Sequence, residues 1–463
     1  MRARTVELGL LVLATLVTAV GFVTVTTSQQ SEVASDVTID LQGEVGGFLA
    51  VVVLLLLGTH VVIRMVTPLA DGLLFASAAL LNGLGYVMIS RLDEGLADSQ
   101  SAWTFFGLGA FCVALFVLED PRKLERYRYS LAMLGVGLLL LPLVPGLGAE
   151  INGARIWLRV GAFSIQPGEF AKIVLAAFLA GYLVDKRELL TLTGRRIGPL
   201  HVPAVRHFGP LVLAWGVALM VMTAQRDLGS SLLFFTLFLV MIYVATSRAA
   251  YVFLGMFMFS IGAVVAWRTF GHVQRRVDIW LDPFADAKGS GFQIAEAAFA
   301  LADGGVTGTG LGQGTPKKIP YAATDMIFAA FGEELGLLGA TAILVTFMFF
   351  VASGFRVATN ARSPFEKLLA AGLTSLLGFQ AFIIIGGILR VLPLTGVTLP
   401  FVSYGGSSLI SNYIILAILV RISHNSVVQA AEEQEVNARD VFGLGVSQET
   451  KARWKAVGPR GGF

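Results

Sequence analysis

Cysteine is nearly absent. Cys112 is the only one in 463 residues, and it lies inside an apolar run. No intrachain disulfide and no cysteine-based metal centre can form. Charge is scarce as well: 14% of the residues are Asp, Glu, Lys or Arg, whereas 55% are hydrophobic and the mean hydropathy is +0.75. That balance excludes a soluble globular chain, because apolar windows of about 20 residues recur along its length and a membrane helix needs about that many. Alternation of polar and apolar residues is missing, which excludes a transmembrane barrel. The net charge of +3 is small and unevenly placed, and no nucleic-acid partner is expected. The first apolar segment, Val6 to Thr26, follows Arg2 and Arg4 as a signal peptide would. It is long for one, and Thr27-Ser28-Gln29-Gln30-Ser31 offers no Ala-x-Ala cleavage site, so it reads as an uncleaved span.

What is present is an all-α polytopic membrane protein. About twelve transmembrane helices are expected, at 6–26, 45–66, 69–90, 103–118, 129–147, 169–185, 207–224, 229–246, 250–268, 328–355, 366–391 and 405–421. One alternate set of connections carries Arg2, Arg4, Arg64, the Arg122–Arg128 cluster, the 186–206 cluster, Arg248, Arg356, Arg362, Lys367 and Arg421. The positive-inside rule places these, and both termini, in the cytoplasm. The other set holds two acidic loops and then 148–168, 225–228, 269–327 and 392–404, the four connections of unusual sequence. All four fall on the outer side. The tail, 423–463, mixes charges with few aromatics and is expected to be partly disordered.

The chain centres on His272 to Gly336, and there on Thr324-Asp325. Asp325, Glu333 and Glu334 stand where the chain enters an apolar span, at a cost of about 2.5–3.5 kcal/mol each at the bilayer centre and less near its surface. Either they complement the positive end of the helix, or Asp325 is functional. Lys317 and Lys318 add positive charge just upstream. The Gly304–Gly314 run resembles a dinucleotide fingerprint only superficially, since no strand precedes it. It reads as a turn-rich loop packed closely on membrane helices.

In the 148–168 loop, Arg155 and Arg159 share a face if that piece is helical, with Trp157 between them. Pro167 can open a helix with Glu169 in its first turn and Lys172 further in. Either this is an interfacial hairpin that snorkels its cations toward lipid phosphates, or it forms a cationic site for a phosphorylated lipid. Asp227 fits a cap for the next span. In the last outer loop, Ser403, Tyr404, Gly405, Gly406 and Ser407 follow two prolines, and the two glycines permit close approach of a ligand or a neighbouring helix.

These residues resemble the SEDS family, the RodA and FtsW type peptidoglycan polymerases. The resemblance rests on Gly153-Ala154-x-x-Trp157, Gln166-Pro167-x-Glu169-x-x-Lys172, Asp227-Leu228-Gly229, Thr324-Asp325 with Gly332-Glu333-Glu334-x-Gly336, and Leu399 to Ser407. It is carried in order from about 150 to 413. The chain departs from the family pattern at Gly168, Arg226, Met326 and Ile384. Residues 1–68 then look like an added N-terminal transmembrane pair, and 69–422 like a core of about ten helices bearing the large 269–327 loop. With Trp280-Leu281-Asp282-Pro283-Phe284, that addition is similar to the actinobacterial RodA branch.

The resemblance implies an inverting glycosyltransferase that polymerises lipid II at the outer face of the plasma membrane, serving elongation and shape, alongside a class B penicillin-binding protein. It implies that Asp325 is the catalytic carboxylate. The donor's pyrophosphate is already a good leaving group, so one base suffices in place of a glycosidase's acid–base pair. Arg155, Arg159 and Lys172 are expected to stabilise that pyrophosphate, with Trp157, Glu169, Lys317, Lys318, Ser403 and Tyr404 binding substrate. Asp227, Glu333, Glu334, Gly405, Gly406 and Ser407 are expected to support the site. A divalent cation, Mg or Mn, is the one cofactor expected, with no organic cofactor. The alternatives are an FtsW-like septal polymerase, a lipid II flippase, favoured by intramembrane charge, and a scaffold without catalysis.

Overall fold

The computed structural model describes residues 2–32, 41–151, 154–161, 163–192, 194–197, 200–203, 216, 225 and 227–441. In chain order the elements are α1 (Arg2–Glu32), α2 (Leu41–Val66), α3 (Gly72–Leu92), α4 (Glu94–Val117), the short α5 (Lys123–Arg126) and α6 (Arg128–Leu140). A sheet follows, β1 (Gly148–Ile151), β2 (Ala154–Val160) and β3 (Phe163–Ile165), then α7 (Pro167–Leu192) and a hairpin, β4 (Gly194–Ile197) and β5 (Leu200–Pro203). The second half comprises α8 (Leu228–Thr246), α9 (Ala249–Thr269), α10 (Gly271–Leu281), α11 (Phe292–Gly304), α12 (Ile327–Asn360), α13 (Pro364–Ile388) and α14 (Gly406–Val441).

Among the described residues, nine helices are long and apolar enough to cross a membrane, and two shorter apolar helices, Ala50–Val66 and Arg128–Leu143, fall on further expected spans. The expected span at 207–224 lies outside the described residues apart from position 216, as do Gly153, Arg226 and the tail beyond Val441. The protein is a multi-pass α-helical membrane protein. Its interior is built on α13, where 83% of the most apolar stretch is buried, together with α7 and α3; α9, at 6%, presents its surface outward.

The ends of the helices sort into two groups. At one end Arg4 donates to Ala70 O, Asp71 N donates to Ser423 Oγ at 2.9 Å, and Arg421 donates to Val66 O. At the other end the last turn of α3 meets the 304–318 loop through Arg91.

Residues 155–159, for which the sequence leaves both a helix and an interfacial hairpin open, form a strand: β2 pairs with both neighbours antiparallel, Ala149 opposite Trp157 and Arg159 opposite Ser164. Ile156, Trp157 and Val160 favour that state. Trp157 and Arg159 share a face because strand side chains alternate with a period of two, whereas a bulge between Ala154 and Trp157 interrupts the alternation at Arg155. The last helix runs past the expected span end at 421 and continues to Val441, through a Gln429–Glu435 run of strong helix formers.

Candidate active site

Asp325 stands just before α12. The chain reaches it through a tight turn in which Thr324 N and Met326 N both donate to Tyr321 O. Met326 is the residue that opens α12, and it makes no side-chain cap. Asp325 therefore does not serve the helix end. Its Oδ1 accepts from Thr324 Oγ1 at 3.0 Å, and its Oδ2 from Gln293 Nε2 of α11 at 3.4 Å. Gly396 faces the same carboxylate, and a β-carbon there would stand 3.9 Å from Oδ2.

The cation facing this group is Arg276 of α10. Its Nη1 donates to Leu394 O at 2.6 Å, and its charge acts on both Asp325 and Asp227. Burial pushes the Asp325 carboxyl above the ordinary aspartate range, and Thr324, Gln293 and Arg276 oppose this by stabilising the anion. Asp227 is raised in the same way, with the Ser230 amide opposing. Its Oδ1 accepts from Ser230 N at 2.9 Å, so it caps α8 as its position suggests.

The segment 392–408 draws these pieces together. Tyr404 N donates to Ala323 O at 2.8 Å, and Ser403 Oγ donates to Thr324 O while accepting from Leu399 N. Ser407 Oγ accepts from Gln166 N at 3.0 Å. Gln380 of α13 donates to Thr398 O at 2.8 Å and accepts from Lys172 Nζ at 2.9 Å. Lys172 is also paired with Glu169 at 2.6 Å, and Ser411 Oγ donates to that same Glu169 oxygen.

Several expected substrate contacts are thus committed to the framework. Lys172 and Glu169 are buried and saturate each other with Gln380 and Ser411, so Lys172 presents no free charge to a phosphate in this arrangement. Ser403 is turned inward and holds the loop. Gly406 admits a neighbouring helix, since a β-carbon there would stand 2.3 Å from the Trp103 ring. Arg155 and Arg159 are exposed on β2, with Trp157 half-buried between them, and Lys317 and Lys318 are exposed on the turn before Asp325. None of these four cations bonds to Asp325, whose hydrogen-bond partners among the described residues are Thr324 and Gln293.

Glu333 and Glu334 do not complement the helix end either, since they lie well inside α12 and are buried. They bind the glycine-rich loop: Thr315 N donates to Glu333 Oε1 at 2.6 Å and Gly312 N to Glu334 Oε2 at 2.9 Å. Arg91 pairs with Glu334 at 3.2 Å. Close packing of this loop, expected from its glycines, is what the structure contains.

Arg276, Gln293, Gln380 and Arg91 were not picked out from the sequence. For Arg276 a signal existed, because Arg275-Arg276 lies in a loop assigned to the outer side, where arginine is disfavoured. Gln293 and Gln380 carry no such mark. Among the described residues no group of three or more His, Cys, Asp or Glu is placed to hold a metal ion. Asp325 faces a threonine, an amide and an arginine, a donor set unsuited to a protein-only cation cage.

The chain is 45% identical over 435 residues to the peptidoglycan glycosyltransferase RodA of Mycobacterium tuberculosis, covering 91% of each chain. It is 36% identical to stage V sporulation protein E of Bacillus subtilis, over 77% of this chain and 97% of that one. A solved structure of a peptidoglycan synthase complex that coordinates polymerization and crosslinking superposes with a TM-score of 0.63 at 28% identity, covering 77% of this chain and 98% of that one. The model of the FtsW, RodA and SpoVE family of cell cycle proteins matches residues 72–427. That match opens with α3 and takes in every segment that meets around Asp325, so the chain belongs to the FtsW, RodA and SpoVE family.

Proposed function

We propose that this protein is a RodA-type peptidoglycan glycosyltransferase that polymerises lipid II for cell elongation, with Asp325 as its base. Kinship with the mycobacterial RodA enzymes supports the activity. The observation that carries the assignment of Asp325 is its environment. It is a half-buried carboxylate with no capping duty, hydrogen-bonded by Thr324 and by Gln293 of α11 and facing the half-buried Arg276 of α10.

The acceptor's GlcNAc 4-hydroxyl attacks the anomeric carbon of the donor, with inversion. Asp325 takes the hydroxyl proton as the new glycosidic bond forms, and the undecaprenyl pyrophosphate leaves with the electrons of the broken bond. A proton affinity raised by burial suits a base that works near neutral pH. Arg276 lies beside the reacting centre, and Arg155 and Arg159 on the exposed face of β2 offer charge to the pyrophosphate. Glu169 and Lys172 act as framework. The residues present do not form a metal cage, and no step here runs through a metal.

The charge alternation supports cytoplasmic termini and an extracytoplasmic site. The likeness to a synthase complex supports a class B penicillin-binding protein as partner.

The test is polymerisation of labelled lipid II by the purified protein, with and without its partner and divalent cation, against Asp325→Asn. Long glycans from the wild type and none from a folded variant are expected. Full polymerisation by Asp325→Asn would remove Asp325 as the base. Absence of polymer from both, with lipid II crossing vesicle membranes, would replace the enzyme with a flippase.

A further inference from the structure

The helix pair α1–α2 precedes the family match at residue 72, yet the far end of α1 reaches the segment that leads to Asp325. Arg4 and Glu7 pair at the start of α1, and His60 of α2 lies 2.7 Å from Glu7. Arg4 also donates to Ala70 O, which ties this end to the start of α3. The helix then lies along α3 so closely that β-carbons at Gly83 and Gly21 would meet Thr18 and Val87. Both contacts fix α1 along its length.

At its far end, Ser28 is buried at 7% exposure. Its hydroxyl donates to Gly312 O at 3.0 Å and accepts from Gln313 Nε2 at 2.5 Å. Gly312 has a φ of +84°, and a β-carbon on it would stand 2.6 Å from Ser28 Cβ. Only glycine satisfies both the turn and the neighbouring helix.

The loop between α11 and α12 is thereby gripped from two sides. On the α12 side its amides are engaged: Thr309 N and Gly310 N donate to Glu333 O and Glu334 O, and Gly312 N and Thr315 N to the carboxylates of the same residues. On the opposite side its carbonyls are engaged, by Arg91 on Gly312 and Gly314 and by Ser28 on Gly312. Beyond Thr315 only a short run of turns separates the loop from Asp325. Of the residues in this grip, Ser28 alone comes from outside the family's matched region.

We propose that α1 is a positioning element of the active site, and that Ser28 is the positioning residue through which it holds the 306–318 loop, and with it Asp325, in place for catalysis. The inference rests on the reading of Asp325 as the base. It assigns the added N-terminal pair a part in turnover beyond membrane anchoring.

The test uses the full-length protein in lipid nanodiscs, comparing wild type, Ser28→Ala, Gln313→Ala and the double variant. Amide hydrogen exchange of peptides covering 306–318 is read beside steady-state lipid II polymerisation. Losing one such hydrogen bond should raise loop exchange by about three- to tenfold and lower kcat by a similar factor. KM for lipid II should stay within about twofold, since the loop positions a reacting group and does not bind substrate uniformly. The double variant should be no worse than Ser28→Ala, which already removes both bonds of Ser28, while Gln313→Ala removes only one of them.

Unchanged exchange in Ser28→Ala and Gln313→Ala would overturn the proposal. So would faster exchange with undiminished kcat, or a loss carried wholly by KM. If Ser28→Ala does not fold, Ser28→Cys, which keeps the volume and weakens both bonds of Ser28, decides the matter by the same readings. Failure of the Asp325 reading would appear separately, as full polymerisation by Asp325→Asn, while the exchange result would still stand or fall on its own.

Discussion

Replacing Arg91 by methionine should damage this protein more than replacing Arg91 and Glu334 together. The guanidinium lies 3.2 Å from Glu334, with side-chain exposures of 5% and 0%. It also donates to Gly312 O at 3.1 Å and Gly314 O at 3.0 Å. Methionine fills much of the volume but leaves Glu334 charged and buried, with Gly312 N as its one remaining donor. Breaking a buried pair by removing one partner costs about 3–5 kcal/mol. Three charge-assisted hydrogen bonds at about 1.5–3 kcal/mol each would sum to more, but local relaxation recovers part of that. Arg91→Met with Glu334→Gln removes both charges, and its cost should fall to about 1–2 kcal/mol, close to that of the one orphaned carbonyl, Gly314 O, since Gly312 O keeps Ser28 as its donor.

The assay is an unfolding midpoint in nanodiscs, followed by tryptophan fluorescence and converted to free energy through a double-mutant cycle. A coupling of at least about 2 kcal/mol is expected, with the double variant the more stable. Arg91→Met indistinguishable from wild type would refute the pairing. A double variant as unstable as the sum of the singles would refute the claim that the unpaired charge dominates.

Asp325→Asn should lower polymerisation by about 10²–10⁴-fold with no change in the unfolding midpoint, as expected for loss of a general base. The base must be ionised and burial raises its proton affinity, so the rate should be full at high pH and fall as pH drops through a midpoint above the ordinary aspartate range. Arg276→Gln removes the positive charge that favours the anion and should move this acid limb to higher pH; a limb that stays in place would dismiss Arg276 as the facing cation. Gly336 sits at φ +64° and ψ −166°, where a β-carbon would stand 2.2 Å from Gly308 N. Gly336→Ala should therefore cost more than about 1–3 kcal/mol in unfolding measurements, and a smaller loss would mean that the kink in α12 relaxes easily.

The spans were legible because the bilayer imposes a simple rule: each segment must be long, apolar and internally hydrogen-bonded. Asp325 was legible for the same reason, as a charge that the rule makes expensive. For the strand at 154–160 the sequence leaves helix and hairpin both open, because Arg155 and Arg159 four apart suit one face of a helix, and only pairing with 148–151 and 163–165 decides it. The reach of α14 to Val441 was missed because charge and polarity there suggested solvent disorder, while intrinsic helix propensity was the stronger influence. Lys172 is expected from the sequence to stabilise the pyrophosphate, and its pairing with Gln380 was not legible because that residue lies on a helix distant in sequence. Arg276, Gln293 and Gln380 gain meaning only from chains that meet in space.

The placement of the site follows from where a membrane protein has backbone to spare. Inside a transmembrane helix almost every amide and carbonyl is consumed locally, so side chains there find few backbone partners. The breaks at 392–405 and 304–326 free such groups, and the structure spends them on assembly: Leu394 O holds Arg276, Thr398 O takes Gln380, Ala323 O takes Tyr404, and Gly312 O takes both Arg91 and Ser28. All but the Gln380 bond cross between segments far apart in sequence, and each needs its carbonyl outside regular helix. The glycines and prolines of these loops thus do more than end helices. They leave carbonyls open to join the elements that meet around Asp325, α10 through Leu394 O and α13 through Thr398 O, while Gln293 of α11 bonds the carboxylate itself.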